Sequence, residues 1–189
     1  DAASKGNLIA AIDGGRKLHL VDSSGTEMGT FSGGELQLLC MDEQGRRVAV
    51  ANDEGNVWVL DQSAQIVFER IPRGSAGERI TAIGFERDGH LVIAREALGL
   101  TDGDENELEI EWWNPLGQEV ERHELESRCT TIETAPEGCW VGLFNGKLLH
   151  YDQSKNKTEL WSSTYAIQSI TALEWDVLVA SWFYLFRIS

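Results

Sequence analysis

The sequence predicts an all-β fold built by repeating one unit of four short antiparallel strands. Three observations predict it. Ile80–Leu125 reads as four strands in a row, divided by turn signals. The same pattern recurs before and after that stretch. The Asp or Asn that closes the third strand of a unit returns at a regular spacing: Asp22 to Asp61 is 39 residues and Asn114 to Asp152 is 38. Four short strands at a period near 40 is the pattern of a β-propeller blade. A sandwich or another barrel is the competing all-β arrangement.

The organising stretch justifies each strand in turn. Ile80-Thr81-Ala82-Ile83-Gly84-Phe85 is the first strand, and Arg87-Asp88-Gly89 turns it, because Asp and Gly tolerate positive φ. His90–Ala94 is an apolar run of the length of a buried strand. After a polar loop, Leu108-Glu109-Ile110-Glu111-Trp112 alternates with period two, and Asn114-Pro115-Leu116-Gly117 turns again. Glu119–Arg122 is polar enough for an outer edge strand. Copies of this unit fall at about 7–31, 36–71, 80–125, 129–161 and 170–189, with Ile80-Thr81-Ala82-Ile83 matching Ile170-Thr171-Ala172-Leu173. Residues 1–6 read as a loose terminus. The first unit then lacks its first strand and the last its outermost, for about eighteen strands in all. From Asp61 to Asn114 is 53 residues, so the third unit carries an insertion of roughly a dozen residues. The final run, Val177–Phe186, is apolar on both faces and needs cover on both sides.

Gly55-Asn56-Val57-Trp58-Val59-Leu60-Asp61 and Gly146-Lys147-Leu148-Leu149-His150-Tyr151-Asp152 resemble the broad WD-type and PQQ-type propeller repeats, and the resemblance covers nearly the whole chain. No Gly-His dipeptide opens the units, and Val-Asp, Leu-Asp, Trp-Asn and Tyr-Asp stand in place of Trp-Asp, so no subfamily follows. The unequal end units imply an irregular five-blade closure or one part of a larger propeller. A first residue of Asp rather than Met suits a processed or excised piece.

With 189 residues and 42% apolar content the chain is long enough for one large all-β domain with a substantial core. No run of ~18 apolar residues exists, so no membrane helix is expected. Three cysteines, Cys40, Cys129 and Cys139, have no metal-type spacing and read as buried reduced thiols, which favours a reducing, cytoplasmic setting. The net charge is −15, and residues 86–137 hold 15 of the 31 acids against four Arg and no Lys. Such a surface repels nucleic acid and attracts basic proteins. Solubility alone is the competing explanation.

Chemistry is sparse. Asp102, Asp104 and Asn106 match the start of a calcium loop, but Glu107 stands where that loop needs Gly and Trp113 where it needs Glu, so the stretch reads as a solvated loop with no metal. His19, His90, His123 and His150 fall in different units, none with a partner at metal-ligand spacing. No nucleophile motif, phosphate loop or dinucleotide fingerprint is present, and no cofactor is expected. Trp112 and Trp113 are adjacent and point to opposite faces of a strand, so either one of them reaches a surface or both pack between blades. The resulting expectation is a non-catalytic protein–protein interaction scaffold, with Asp102, Asp104, Glu105, Glu107, Trp112 and Trp113 docking a basic protein partner and the open ends meeting further blades. The alternative is an enzyme or small-ligand sensor with its site at the channel mouth.

Overall fold

The computed structural model describes residues 2–74, 76–99, 106–173 and 176–188. It contains nineteen strands and, among the described residues, no helix. The strands form five antiparallel sheets in chain order. Sheet one is β1 (Ala2–Lys5), β2 (Leu8–Ile12), β3 (Leu18–Asp22) and β4 (Glu27–Phe31). Sheet two is β5 (Leu36–Met41), β6 (Arg47–Asn52), β7 (Val57–Asp61) and β8 (Ile66–Arg70). Sheet three is β9 (Glu78–Phe85), β10 (Leu91–Ala97), β11 (Leu108–Trp113) and β12 (Glu119–Glu124). Sheet four is β13 (Cys129–Ala135), β14 (Gly138–Leu143), β15 (Lys147–Asp152) and β16 (Lys157–Ser162). Sheet five is β17 (Ile167–Ala172), β18 (Val177–Ser181) and β19 (Tyr184–Ile188).

The recurring Asp or Asn has a local cause. At each turn between third and fourth strands its side-chain oxygen accepts two backbone N–H bonds: Asp22 from Ser24 and Thr26, Asp61 from Ser63 and Gln65, Asn114 from Leu116 and Gln118, Asp152 from Ser154 and Asn156. A short side chain with an acceptor at that distance is what the turn requires. The strand pair at that turn slips by one residue at the same place in three sheets, at Leu20/Val21, Val59/Leu60 and Trp112/Trp113, and two residues earlier in sheet four, at Leu148/Leu149. A β-bulge between third and fourth strands is thus a property of the unit, with its position shifted in sheet four.

The core follows from strand alternation. Side chains at successive positions face opposite ways, so a middle strand that is apolar throughout buries both faces. Val48 and Val50 of β6 join Leu8, Leu18 and Leu20 in a cluster between sheets one and two, while Ala49 and Ala51 join Ile80, Leu91 and Ile93 between sheets two and three. Val92, Ala94, Ile110 and Trp112 pack on Val141, Leu149 and Tyr151 between sheets three and four. Trp140 and Leu148 pack on Ile167, Ile170 and Val179 between sheets four and five. First strands of consecutive sheets are neighbours: β1 meets β5, β5 meets β9, β9 meets β13 and β13 meets β17. No core cluster of the described residues joins sheet five to sheet one.

Three expectations change. Residues 2–5 are not a loose end: β1 pairs with β2 from Ala2↔Ala11 to Lys5↔Leu8, closed by a two-residue Gly6-Asn7 turn with Gly6 at φ +58°. Sheet one is therefore complete, its first strand hidden in the sequence by its polar composition. The final apolar run is two strands, broken at Trp182-Phe183, where Ser181 pairs with Tyr184 and Trp182 takes φ +55°. The first strand of the last unit begins at Ile167, so Ile80 corresponds to Ile167 and the match to Ile170 is three residues out of register. Bulges fix that alignment: the pairing slips between Leu36/Leu38, Cys129/Thr131 and Ile167/Ser169, and Ile80/Ala82 shows the same skip opposite Arg95/Ala94.

Close packing between sheets four and five leaves no room at Gly142 of β14, where an added Cβ would meet Thr131 Cγ2 at 2.8 Å and Ile167 Cγ2 at 2.6 Å. Gly142→Ala is expected to cost about 1–3 kcal/mol, seen as a lower urea midpoint at unchanged slope. An unchanged midpoint would mean the two sheets pack loosely there.

Candidate functional site

The fifth sheet differs from the other four in two ways. Among the described residues it has three strands, with β19 outermost. It also carries the densest group of exposed apolar side chains: Phe183 is 87% exposed and Leu185 69%, with Trp182, Tyr184 and Leu173 also exposed. Trp182 and Phe183 form the tip of the β18–β19 hairpin. Trp182 stacks on Tyr165, with ring centroids 5.8 Å apart and planes 19° apart, and Phe183 meets Trp182 edge-on at 5.1 Å. A bulky side chain with positive φ at a tight turn is strained, and most hairpins of this length use Asn or Gly there. Phe186, on the other face of β19, packs on Trp161 of sheet four with centroids 4.7 Å apart. One face of β19 is thus anchored, and its outer edge and tip are not.

A second feature lies where four first strands converge. β1, β5, β9 and β13 line a cavity of about 460 Å³, with Lys5, Glu43, Arg87 and Glu133 among its walls. Burial pushes the Glu133 carboxyl up; the Ala172 N–H, 3.2 Å from Oε1, and the Lys5 charge pull the other way. Cys40 lines the cavity too, and burial drives its thiol far above the ordinary value, so it holds no reactive thiolate at neutral pH. No histidine lines the cavity.

The residues singled out in the sequence separate. Asp102, Asp104 and Glu105 lie outside the described residues. Glu107 is exposed, just ahead of β11. Trp112 has no exposed surface and belongs to the cluster between sheets three and four. Trp113 points the opposite way, packs against the cluster between sheets two and three, and donates its Nε1–H to Glu111 Oε2 at 2.8 Å. The two tryptophans are inter-sheet packing, and Trp112 offers a partner nothing to touch. The acidic count also shrinks at the surface, because Glu86, Glu109 and Glu111 are buried.

Those last two glutamates belong to a cluster the alternating strand pattern concealed. Arg70, Arg95, Glu78, Glu109 and Glu111 are all buried where sheet two hands over to sheet three. Arg70 Nη2 lies 2.9 Å from Glu111 Oε1, and Arg70 also pairs with Glu78. Arg95 Nε is 2.9 Å from Glu109 Oε2 and its Nη1 3.3 Å from Glu78 Oε2. Arg73 reaches both Glu109 and Glu111 from the linker, and Arg122 and Glu119 close the outer side at 3.0 Å. Four arginines meet four glutamates, so the cluster is neutral. Glu109 and Glu111, two apart, face the same side of β11; the visible sign in the sequence was that pair together with Arg95 ending an apolar strand.

The histidines do not converge. His19 contacts Asp13 at 2.9 Å, His123 packs on Trp112 and Tyr151, and His150 packs on Trp140. His90 corrects the expectation that none had a partner at ligand spacing: ligand atoms of Glu86, Asp88 and His90 lie within 4.8 Å of one another. Glu86 is already satisfied, by Trp112 Nε1 at 3.2 Å and by the Lys155 ammonium, so the three form a charge-paired group. The described cysteines are all free thiols; burial pushes Cys129 up to about 12.

Compared with known proteins, the chain matches no family model and no curated protein. Among the described residues no helix is long and apolar enough to cross a membrane.

Removing one member of the buried charge cluster strands its partners. Glu111→Ala is expected to cost about 3–5 kcal/mol, measured by urea unfolding. Burial alone would push Glu111 up, but the Arg70 and Arg73 charges and hydrogen bonds from Arg70 and Trp113 hold its carboxyl below the ordinary 4.5. Its contribution to stability is complete above pH 4.5 and fades as pH falls through the lower folded value. In Glu111→Gln that part of the acid-unfolding curve flattens; an unchanged curve would mean other carboxylates set it.

Proposed function

We propose that this protein is a non-catalytic interaction scaffold of the β-propeller type, whose working surface is the edge and tip of the fifth sheet. One observation carries this reading. Trp182, Phe183, Tyr184 and Leu185 are all exposed at the hairpin tip and along β19, the outermost described strand of the fifth sheet. An unpaired strand presents a row of N–H and C=O groups that another strand can pair with, and such edges are normally blunted by charge, bulges or proline. Here the edge strand carries one charge, Arg187, which is tied to Asp176. Exposed aromatics beside an open edge suit a partner that adds a strand and buries those rings. The chain of interfaces from sheet one to sheet five supports a blade arrangement in which that partner continues the series.

The acidic third unit adds a weaker electrostatic element. Glu107, Glu121, Glu124 and Glu126 are exposed and not drawn into the buried cluster. They would draw a basic partner toward the scaffold and speed its encounter more than they tighten it.

The cavity of about 460 Å³ between first strands favours a second reading, a small-ligand sensor, because converging walls with a few charged groups are the usual form of a binding pocket.

An edge built to take a strand takes one from another copy when nothing else is present. Solution mass by light scattering is expected to rise with concentration over a hundredfold range. The double variant Trp182→Asn, Phe183→Gly removes both rings and relaxes the turn. It is expected to stay within about 1 kcal/mol of wild-type stability while the mass no longer depends on concentration. Identical monomeric behaviour of both proteins would sink the edge as an interaction surface. Saturable thermal stabilisation by one small molecule, unaffected by the double variant, would favour the cavity instead.

A further inference from the structure

Two arginines occupy the same repeat position in neighbouring sheets. In sheets two to five the residue just before the bulge of the first strand is Leu36, Ile80, Cys129 or Ile167, and the position ahead of it holds Glu35, Arg79, Arg128 or Ala166. Only sheets three and four place arginine there, and both add a threonine at the bulge, Thr81 and Thr130. These residues, with Ile80 and Cys129, line an open pocket of about 260 Å³ between β9 and β13. It sits at the opposite end of these two strands from the larger cavity, which takes Ile83–Phe85 and Ile132–Ala135.

None of the six residues lining this pocket is acidic. In a chain of net charge −15 that is unusual company for two arginines. Arg70 and Arg95 each face buried glutamates, whereas Arg79 has Glu96 at 3.5 Å on a half-exposed side chain, an ion pair that constrains it little. Arg128 lies over the exposed ring of Phe144, its Cζ 4.9 Å from the centroid. That stacking holds the guanidinium plane without using its N–H fork. The Thr81 and Thr130 hydroxyls donate to the carbonyls of Ala94, Gly142 and Ile167, so they shape the pocket and leave recognition to the guanidiniums.

We propose that Arg79 and Arg128 form a binding site for a small tetrahedral oxyanion of the phosphate class, either free phosphate or a phosphomonoester. Two forked cations can each give paired N–H bonds to such an anion. Polyanions are disfavoured, since the pocket is small and the rest of the chain repels them. The site is independent of the fifth-sheet edge, so either can fail alone.

The test is an amide chemical-shift titration of the full chain with inorganic phosphate, at ionic strength matched with sodium chloride. Saturable shifts are expected at residues 79–81 and 128–130. Arg79→Ala and Arg128→Ala should each weaken binding roughly tenfold, and Arg128→Lys should retain part of it, because a point charge replaces the fork. Both arginines reach the surface, so circular dichroism should show unchanged folding in all three variants. In parallel, glycerol phosphate binding more tightly than phosphate assigns a monoester, and equal or weaker binding assigns the free ion. Shifts reproduced by chloride alone, or unaltered by Arg128→Ala, would overturn the proposal.

Discussion

A sheet whose middle strands are apolar on both faces cannot stand alone in water. That constraint governs this molecule. β6, β10 and β14 are buried almost throughout, and each sends alternate side chains into two different clusters. Every such sheet needs a neighbour on each side, and the four interfaces between five sheets follow from it. At roughly 25 cal/mol per Å² of apolar surface removed from water, this double burial is the main favourable contribution to the fold. The turns determine where each strand starts; burial determines that the sheets must pack.

The boundary between sheets two and three is handled differently. There the packing of Ala49, Val57 and Ile93 gives way to a buried set of arginines and glutamates. Burying ions costs solvation free energy, and well-packed apolar side chains would do as well or better for stability alone. What ions add is directionality. Arg70 at the end of β8 and Arg73 beyond it reach across to β11, so the last strand of one sheet and the linker after it are bonded to the third strand of the next. The backbone carbonyl of Asn106 also accepts from Arg95, which ties the end of the third unit's insertion to the same cluster. The charges thereby set how these two sheets register beside Asn106 and the start of β11.

Much of the repeat was legible because its causes are local. Asp22, Asp61, Asn114 and Asp152 are visible as turn residues from composition and spacing alone. β1 was not legible, since Ala2-Ala3-Ser4-Lys5 has neither alternation nor branched side chains; its pairing with β2 comes from the tertiary setting and a Gly-Asn turn. The break at Trp182-Phe183 was hidden for the opposite reason, because nothing in those side chains announces a turn. Glu109 and Glu111 looked like the wet side of a half-exposed strand, and only the arrival of Arg70 and Arg73 from the preceding segment makes them internal. Charge counted along a sequence overstates surface charge wherever opposite charges lie far apart in the chain and close in space.

The linear order of interfaces has a thermodynamic consequence. Where each unit touches only its neighbours, cooperativity is a sum of nearest-neighbour couplings, as in a one-dimensional array. Sheets two, three and four are coupled on both sides. Sheet five is coupled through one face, to Trp140, Leu148 and Trp161. Among the described residues sheet one likewise has a single such interface, so loss of order that starts at either sheet is expected to pass through the array one interface at a time.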